Sequence, residues 1–506
     1  MVNATLYGSV TDQSGAAIPG VHVTVTNQET GVANKGASDA AGSYSFPSLA
    51  PGTYNIMADK QGFKSKSISG ITLLVTQQAR LDVQLEVGQV TTQVEVKGAA
   101  QLVETSTASV GTVIGEHQVE DLPLNLRRLT SLATLVPGTI AAGSFGYAAY
   151  IVGGSPFSES TYVSGGARDS SNTLLVDGME SRAYDTGGFG LAPPPDAVQE
   201  FKIQTNIYSA AFGKTAGSTM NLVTKSGNNG LHGDVYEFLR NNDVDSRNFF
   251  ADNQTDPNSG AEIPGSARPE YRRNQFGVTG GGPIIKNKTF IFGFYDALRE
   301  VKGLSLGNFV PTDLERQGNF SSALTGQVAN LCSASGSAAP SNLNYDTGQL
   351  FSPGTESLFT CPQNPATPTV APQTILVGNP VPGNIITSID PVAQKVLGDY
   401  PEPNRPGFPN YVNQTPRDRS DNQFGLRLDH NLGNRDRIFG RYLFAQSNIT
   451  DPSAGYSSLP GFGDTIYFRG QNVTSSWFHT FTPQLLNEFQ VGFQRNNPVE
   501  NCLTCS

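Results

Sequence analysis

The sequence predicts a mainly-β protein, and three observations carry that reading. Apolar residues alternate with polar ones in many short runs, as where Phe201, Ile203 and Thr205 stand against Lys202, Gln204 and Asn206. That period of 2 marks strands with one buried face. Gly (55), Phe (28) and Tyr (17) are abundant, while charged residues make up only 15%, well under the roughly 25% of ordinary soluble domains. No apolar run approaches the ~18 residues of a membrane-crossing helix. This composition fits either a secreted all-β protein or an outer-membrane barrel, and 506 residues allow several domains. A net charge of −10 argues against nucleic acid as a partner, because no basic stripe would neutralise phosphates.

Residues 1–88 read as a β-sandwich. Tyr7 to Val10 runs into the turn cluster Asp12 to Gly15, and Pro19-Gly20 precedes Val21, Val23 and Val25, which alternate with His22, Thr24 and Thr26. Asp39 to Gly42 precedes Tyr44 and Phe46, Pro51-Gly52 precedes Tyr54 and Ile56, and Leu81, Val83 and Leu85 close the set. Short strands at this spacing, punctuated by Gly, Pro, Asp and Asn, predict a small sandwich. The set Gly8 to Asp12, Ser14-Gly15, Ile18 to Val21, Gly42 to Phe46 and Pro51 to Tyr54 resembles the carboxypeptidase regulatory-like domain. The resemblance implies a transthyretin-like, carbohydrate-binding-like fold and a non-catalytic accessory module. Two readings of Tyr54 stay open: an exposed ring that stacks on a sugar, and a half-buried strand aromatic.

Residues 89–100 read as a linker holding one extended run, Val90 to Val96, between Gly88 and Gly98. An isolated strand has unpaired backbone groups that another chain's sheet edge can complete, which makes Val90, Val94 and Val96 candidate contact residues. A plain linker, or a last strand of the sandwich, is the other reading.

In residues 101–226, Ser109 to Ile114 is strand-like, and Leu126, Leu129, Ala133 and Val136 recur at helical spacing up to Pro137-Gly138. Leu174, Leu175 and Val176 run into Asp177-Gly178, a hairpin-type turn. The run from Phe201 is followed by Gly213 and Gly217, a second strand from Thr219 to Thr224, and the turn Lys225-Ser226-Gly227. Val163 to Arg168, Asn172, Leu174 to Gly178, Gln199 to Ile203 and Gly213 to Thr224, in that order, resemble the α+β plug of TonB-dependent outer-membrane receptors. The likeness is strongest to the Oar-like branch, where a regulatory-like sandwich precedes the plug. Gly165, Asn172, Asp177, Gly178, Gly213 and Gly217 carry the signature. Leu126 departs from it, since the branch usually has Gly between Asn and Arg. Lys202 and Arg168 are candidate lumen-facing charges.

Residues 227–506 hold runs of the ten or so residues that a tilted membrane strand needs, beginning with Leu231 to Leu239. Phe424, Leu426 and Leu428 alternate with Gly425, Arg427 and Asp429; Phe489, Val491 and Phe493 alternate with Gln490, Gly492 and Gln494; Phe290, Phe292 and Phe294 share a face. Apolar-out, polar-in alternation is what a wall between lipid and a polar lumen requires. Asn248-Phe249-Phe250, Arg273 to Gly277 and Gly281-Gly282-Pro283 resemble the start of an Oar-like barrel. The Pro/Asn/Ser/Thr-rich stretch from about Gly303 to Asp421 reads as exposed loops. Cys332 and Cys361 lie within it, and a loop disulfide and two free thiols are both open readings. Seven or eight candidate strands fall short of the 22 in plugged transporter barrels, and membrane-spanning β-structure must close. The expectation is therefore the first strands of a 22-stranded transmembrane barrel, in a fragment of a longer receptor. Met1 to Ala4 offers no basic or apolar leader, so no signal peptide is expected as written.

Signals for chemistry are weak. Gly303 to Gly307 matches a nucleophile elbow without its strand–turn–helix setting. Gly213-Lys214-Thr215 lacks the first glycine of a P-loop, because position 208 is Tyr208. Cys502-x-x-Cys505 has no second ligand pair, and Asn241 to Asp245 lacks the glycine and glutamate of a calcium loop. No catalytic residue, cofactor or metal is expected. The resemblance implies an outer-membrane receptor whose plug blocks the lumen until a periplasmic TonB-type protein pulls on it. Its partners would be that protein, outer-membrane lipid, and an unknown ligand such as a glycan, metal chelate or protein. The alternative is a surface adhesin or sugar-binding protein without transport.

Overall fold

A computed structural model describes residues 3–88, 93–97, 110–122, 124, 127–141, 162–183, 190–206, 208, 212, 216–246, 270–303, 306–330, 332, 344–361, 374–404, 407, 409–413, 416–433, 435–452 and 463–502. The first nine strands are β1 (Ala4–Thr11), β2 (His22–Asn27), β3 (Ala33–Ala37), β4 (Ser43–Leu49), β5 (Gly52–Asp59), β6 (Ser65–Leu73), β7 (Gln78–Arg80), β8 (Val83–Gln84) and β9 (Gln93–Lys97). One sheet joins β4, β7 and β8 to β1, and the other runs β3-β2-β5-β6-β9. Their inward residues share one core, with Leu6, Val23, Val25, Ile56, Ile71 and Leu73 at its centre. Tyr54 belongs to that core. It is 2% exposed, and its hydroxyl donates to the Ala50 carbonyl at 2.7 Å. The ring has no free face for a sugar, so the half-buried reading was too mild and the stacking reading is excluded.

The extended run after the sandwich is not isolated. β9 pairs parallel with β6, from Ser65↔Gln93 to Ser69↔Lys97, and forms the edge of its sheet. Val94 and Val96 lie in it, while Val90 is outside the described residues.

An inner unit follows: β10 (Val110–Ile114), helix α1 (Glu116–Asp121), a 3-10 helix (Leu129–Leu135), β11 (Thr139–Ala141), β12 (Tyr162–Ser164), β13 (Thr173–Val176), β14 (Met179–Glu180), β15 (Val198–Asn206) and β16 (Thr219–Thr224). Its main sheet has the order β10-β15-β16-β13-β14, with only the β13/β16 pair parallel. The expected single buried face of β15 is a correction: Lys202 and Gln204 are buried along with Phe201 and Ile203. The strand lies between two others, and both faces of its sheet are covered. One face shares a core with the 3-10 helix, and a loop of the sandwich reaches Glu200.

The largest sheet is a wall. After β17 (Val235–Asn241), β18 (Tyr271–Ile285) and β19 (Thr289–Gly303) comes an insertion containing β20 (Leu306–Asn308), α2 (Asp313–Arg316), β21 (Val328–Asn330), β22 (Asn344–Asp346), β23 (Ser357–Thr360), β24 (Thr374–Val377), α3 (Pro391–Asp399) and β25 (Tyr411–Asn413). The wall resumes with β26 (Pro416–Asn431), β27 (Asp436–Asp451), β28 (Asp464–Thr482) and β29 (Leu485–Cys502). Its seven strands run β17-β18-β19-β26-β27-β28-β29, each antiparallel to the next. β18 and β19, β26 and β27, and β28 and β29 follow one another within two to four residues at one end of the wall, and many more residues separate the strands that follow one another at the other end. Among the described residues the sheet does not close: β17 and β29 are its edges. Regular pairing starts at Val235 rather than Leu231, after a single bridge between His232 and Gly281. The insertion is folded rather than plain loop. Cys332 and Cys361 form a disulfide, and Tyr345, Phe359, Ile375 and Val377 pack against it.

Phe424, Leu426 and Leu428 face outward, as do Phe489, Val491 and Phe493, all more than 40% exposed. Phe290, Phe292 and Phe294 do not. They are buried on the inward face, where Phe292 and Phe294 join Leu443 and Ala445 in one core with Phe201, Met220 and Leu222 of the inner sheet. Alternation alone does not say which face is apolar because it faces lipid and which because it faces a folded neighbour.

The sandwich rests at the short-turn end of the wall. Val75 packs against Val223, with Val113 beside them, while its N–H donates to Glu200. Asn229 donates to the Thr30 carbonyl at 2.7 Å and exchanges hydrogen bonds with Asn287 in the first short turn. Arg437 donates to Asn3 at 2.6 Å.

Candidate functional site: a buried carboxylate between two sheets

β13 is a short, fully buried strand, and Asp177-Gly178 turns it back into β14. Both turn residues have positive φ, 50° at Asp177 and 82° at Gly178. A two-residue hairpin turn with that hand suits Asp-Gly, because Asp tolerates the left-handed region and Gly has no Cβ to clash. The turn carries Asp177 to the face that meets the wall, where its side chain is 0% exposed.

Four donors converge on its carboxylate. Thr224 of β16 gives its N–H at 2.9 Å and its hydroxyl at 2.8 Å, tying the turn to the neighbouring strand. From the wall, Arg427 Nη1 lies at 3.2 Å and Arg441 Nη1 at 2.8 Å. Arg427 also grips Asp429 with two parallel bonds, 2.8 and 3.0 Å, and donates to the Thr224 carbonyl at 2.8 Å. Arg441 reaches Asn472 at 2.6 Å and Thr474 at 2.9 Å. Gln490 of β29 donates to the Asp177 carbonyl at 2.9 Å. Two arginines and two aspartates balance in charge. A buried ion pair is tolerable only when its remaining hydrogen-bonding groups are also met, and this one is nearly complete. Of the arginine and aspartate side chains in this cluster, only Arg441 Nε finds no acceptor among the described residues.

The other expected signature residues divide by role. Asn172 is 1% exposed and accepts from the N–H and hydroxyl of Ser218, both at 3.0 Å, while donating to the Tyr162 carbonyl at 2.6 Å. Gly217 permits that approach, because a Cβ there would sit 2.5 Å from Asn172 Oδ1. Gly165 (φ 60°) turns the chain after β12. These three hold the inner unit together. Gly213 lies outside the described residues. Lys202 is buried in the inner sheet and Arg168 is exposed.

Arg427, Arg441, Thr224 and Gln490 were not singled out from the sequence. The available signal was Arg427 and Arg441 at the inward positions of alternating strands, and it pointed to no partner because Asp177 lies some 250 residues away.

Two groups near the sandwich have displaced proton affinities. Burial pushes the Glu200 carboxyl up to about 7, against the Val75 N–H and the charge of Lys202. Burial works against the Lys225 ammonium, but Glu120 and Glu116 of α1 outweigh it and hold the group above the ordinary lysine range. In the suspected calcium loop, Asn241 Oδ1 accepts the Asp243 N–H and Asp245 pairs with Arg240, so these groups are spent on a turn. Among the described residues, no group of three or more His, Cys, Asp or Glu side chains could hold a metal ion.

Residues 223–503 match the family described as outer membrane beta barrel domain, and residues 5–86 match the carboxypeptidase regulatory-like domain. Over 302 residues the chain is 28% identical to the TonB-dependent transporter Oar of Myxococcus xanthus, which covers 57% of this chain and 26% of that protein. The chain thus spans about a quarter of the length of that curated relative. Among solved structures, the outer membrane transporter YddB from Escherichia coli aligns with 78% of this chain and 40% of its own, at 10% identity and a TM-score of 0.42. A ferric enterobactin receptor from Pseudomonas aeruginosa, in complex with enterobactin, aligns with 78% and 42%, at 10% identity and a TM-score of 0.38.

Proposed function

The chain belongs to the outer membrane beta barrel domain family, and from that premise we propose that it is a plug-gated, TonB-dependent receptor or transporter. In this reading residues 101–226 are the plug and the seven-stranded wall is barrel. The short turns face the periplasm and the long connections face outside, as in outer-membrane barrels generally. The sandwich then lies in the periplasm beneath the plug.

The observation that carries the reading is the Asp177 clamp. A folded inner sheet is fastened to the concave face of the wall by charged hydrogen bonds converging on one residue, beside an apolar contact with Phe292, Phe294 and Leu443. Such a joint is strong at rest, and it can be released by moving a single turn. Force would enter through the N-terminal region. β9 is an edge strand, and its outer side is unpaired among the described residues, so a periplasmic partner strand could add there through Val94 and Val96.

Two measurements test this. Expression of the intact gene should give a product in the outer-membrane fraction whose electrophoretic migration changes on heating; recovery in the soluble fraction would contradict the reading. In a pull-down with a TonB C-terminal domain, Val94→Pro should lose binding, because proline removes a backbone donor. Equal capture of wild type and variant would exclude β9 as the contact.

A further inference from the structure

We propose that the outward face of the wall, at the end opposite its short turns, holds a site for a phosphorylated, acylated sugar of the membrane's outer leaflet. Arg469 of β28 and Arg495 of β29 form its centre. The proposal rests on the receptor reading, which turns this end of the wall outside, and adds to it a lipid partner recognised by its head group.

The strand register places the two arginines together. Arg469 stands opposite Asn497 and Arg495 opposite Gln471, so they are diagonal neighbours, roughly 7–8 Å apart along the backbone surface. Both are exposed on the face that carries Val473, Trp477, Phe489, Val491 and Phe493. Trp477 lies towards the short-turn end, where its indole donates to Asp436 at 2.9 Å. From Trp477 to Arg469 is eight residues, about 27 Å along the strand and roughly 20 Å along the membrane normal at the usual strand tilt. The arginines therefore stand where an apolar band about 25 Å tall gives way to head groups.

Their charge is not spent within the protein. Among the described residues neither arginine pairs with a carboxylate. The outward positions beside them, Asn422, Gln446, Asn448, Tyr467 and Asn497, are uncharged. Other arginines on this face are engaged: Arg272 pairs with Glu270, and Arg299 donates to two backbone carbonyls and to Asn422. Arg469 is also held in place, with its guanidinium over the Phe444 ring at 5.4 Å from the centroid. Next to Arg495, Gln471 is fixed by donating to the Tyr442 hydroxyl at 2.9 Å. A guanidinium fork matches phosphate oxygens, and two long side chains at this spacing can close on one phosphate. The apolar strip running from Val473 and Phe493 towards the short turns then lies where the acyl chains of the same molecule descend. A basic pair above an apolar strip is complementary to one lipid through both of its parts.

The test uses the product of the intact gene, extracted from outer membranes in mild detergent and stripped of lipid. Native mass spectrometry then reads the retention of lipid A, of lipid A freed of its phosphates, and of phosphatidylglycerol. Lipid A should be retained, and the other two should bind more weakly by roughly tenfold or more, as the loss of a charge-assisted bond or of a matched head group entails. Arg469→Gln combined with Arg495→Gln should weaken lipid A binding by a similar factor, and the corresponding pair of lysine substitutions should restore part of it. Arg272→Gln, at an exposed and already paired cation of the same face, should change nothing. Unaltered heat-modifiable migration of each variant shows that its barrel is intact. Equal retention with and without the phosphates, equal retention of phosphatidylglycerol and lipid A, displacement of lipid A by inorganic phosphate alone, or equal binding by wild type and double variant overturns the site and leaves the receptor reading standing. A product absent from the outer membrane overturns the receptor reading, and the site with it.

Discussion

Asp177 concentrates the contact between the inner sheet and the wall into one carboxylate. Removing one partner of a buried, hydrogen-bonded ion pair leaves the other charge stranded, at a cost of about 3–5 kcal/mol. Asp177→Ala and Arg441→Ala should each reach that range, whereas Arg168→Ala, at an exposed position, should stay within about 0.5 kcal/mol. Hydrogen exchange at the amides of β13 and β16 reads the difference, and equal protection in all three variants would remove the clamp from the account. Glu200 makes a separate prediction about pH. Its carboxyl titrates near 7 where it is buried against the sandwich, above the ordinary glutamate value of 4.5. Because the folded value is the higher, stability is full below about pH 4.5 and is lost as pH rises through 7, by an amount on the order of 3 kcal/mol. The Val75 amide, which donates to Glu200, should exchange faster at pH 8 than its intrinsic rate predicts. Glu200→Gln should abolish that excess; an unchanged pH dependence in the variant would refute the assignment.

At the scale of the element, the wall strands show what an alternating sequence reveals and what it hides. Truncating the inward-facing Phe294 should leave a cavity and cost about 3–5 kcal/mol. Phe424→Ala, on the outward face, should cost far less in detergent, as thermal unfolding would show. Similar losses would mean that the faces have been assigned wrongly. The strands themselves were legible because a period of 2 follows from backbone geometry. The face of Phe290, Phe292 and Phe294 was not, because it depends on the inner sheet that packs against the wall. The same holds for β15, whose polar positions look solvated until sandwich and sheet close over them, and for β9, whose pairing with β6 is a tertiary fact. Asp177-Gly178 was visible as a turn, since its backbone demand is local. Its partners Arg427 and Arg441 were not, since nothing near them in the chain names an acid on another sheet.

At the scale of the whole molecule, sandwich, inner unit and wall form one connected body. The sandwich is held to the plug through Val75 and Glu200, and to the short turns through Asn229 and Arg437. The inner unit is held to the wall through Asp177 and a shared apolar core. The most direct measurement of this arrangement is a cross-link between plug and wall in intact outer membranes. A Cβ on Gly492 of β29 would sit 2.4 Å from the Met179 sulfur of β14, so Met179→Cys with Gly492→Cys places two thiols together across the joint. The account predicts rapid, near-complete disulfide formation on mild oxidation, and none when either cysteine is present alone. Two freely labelled thiols that never cross-link would contradict it.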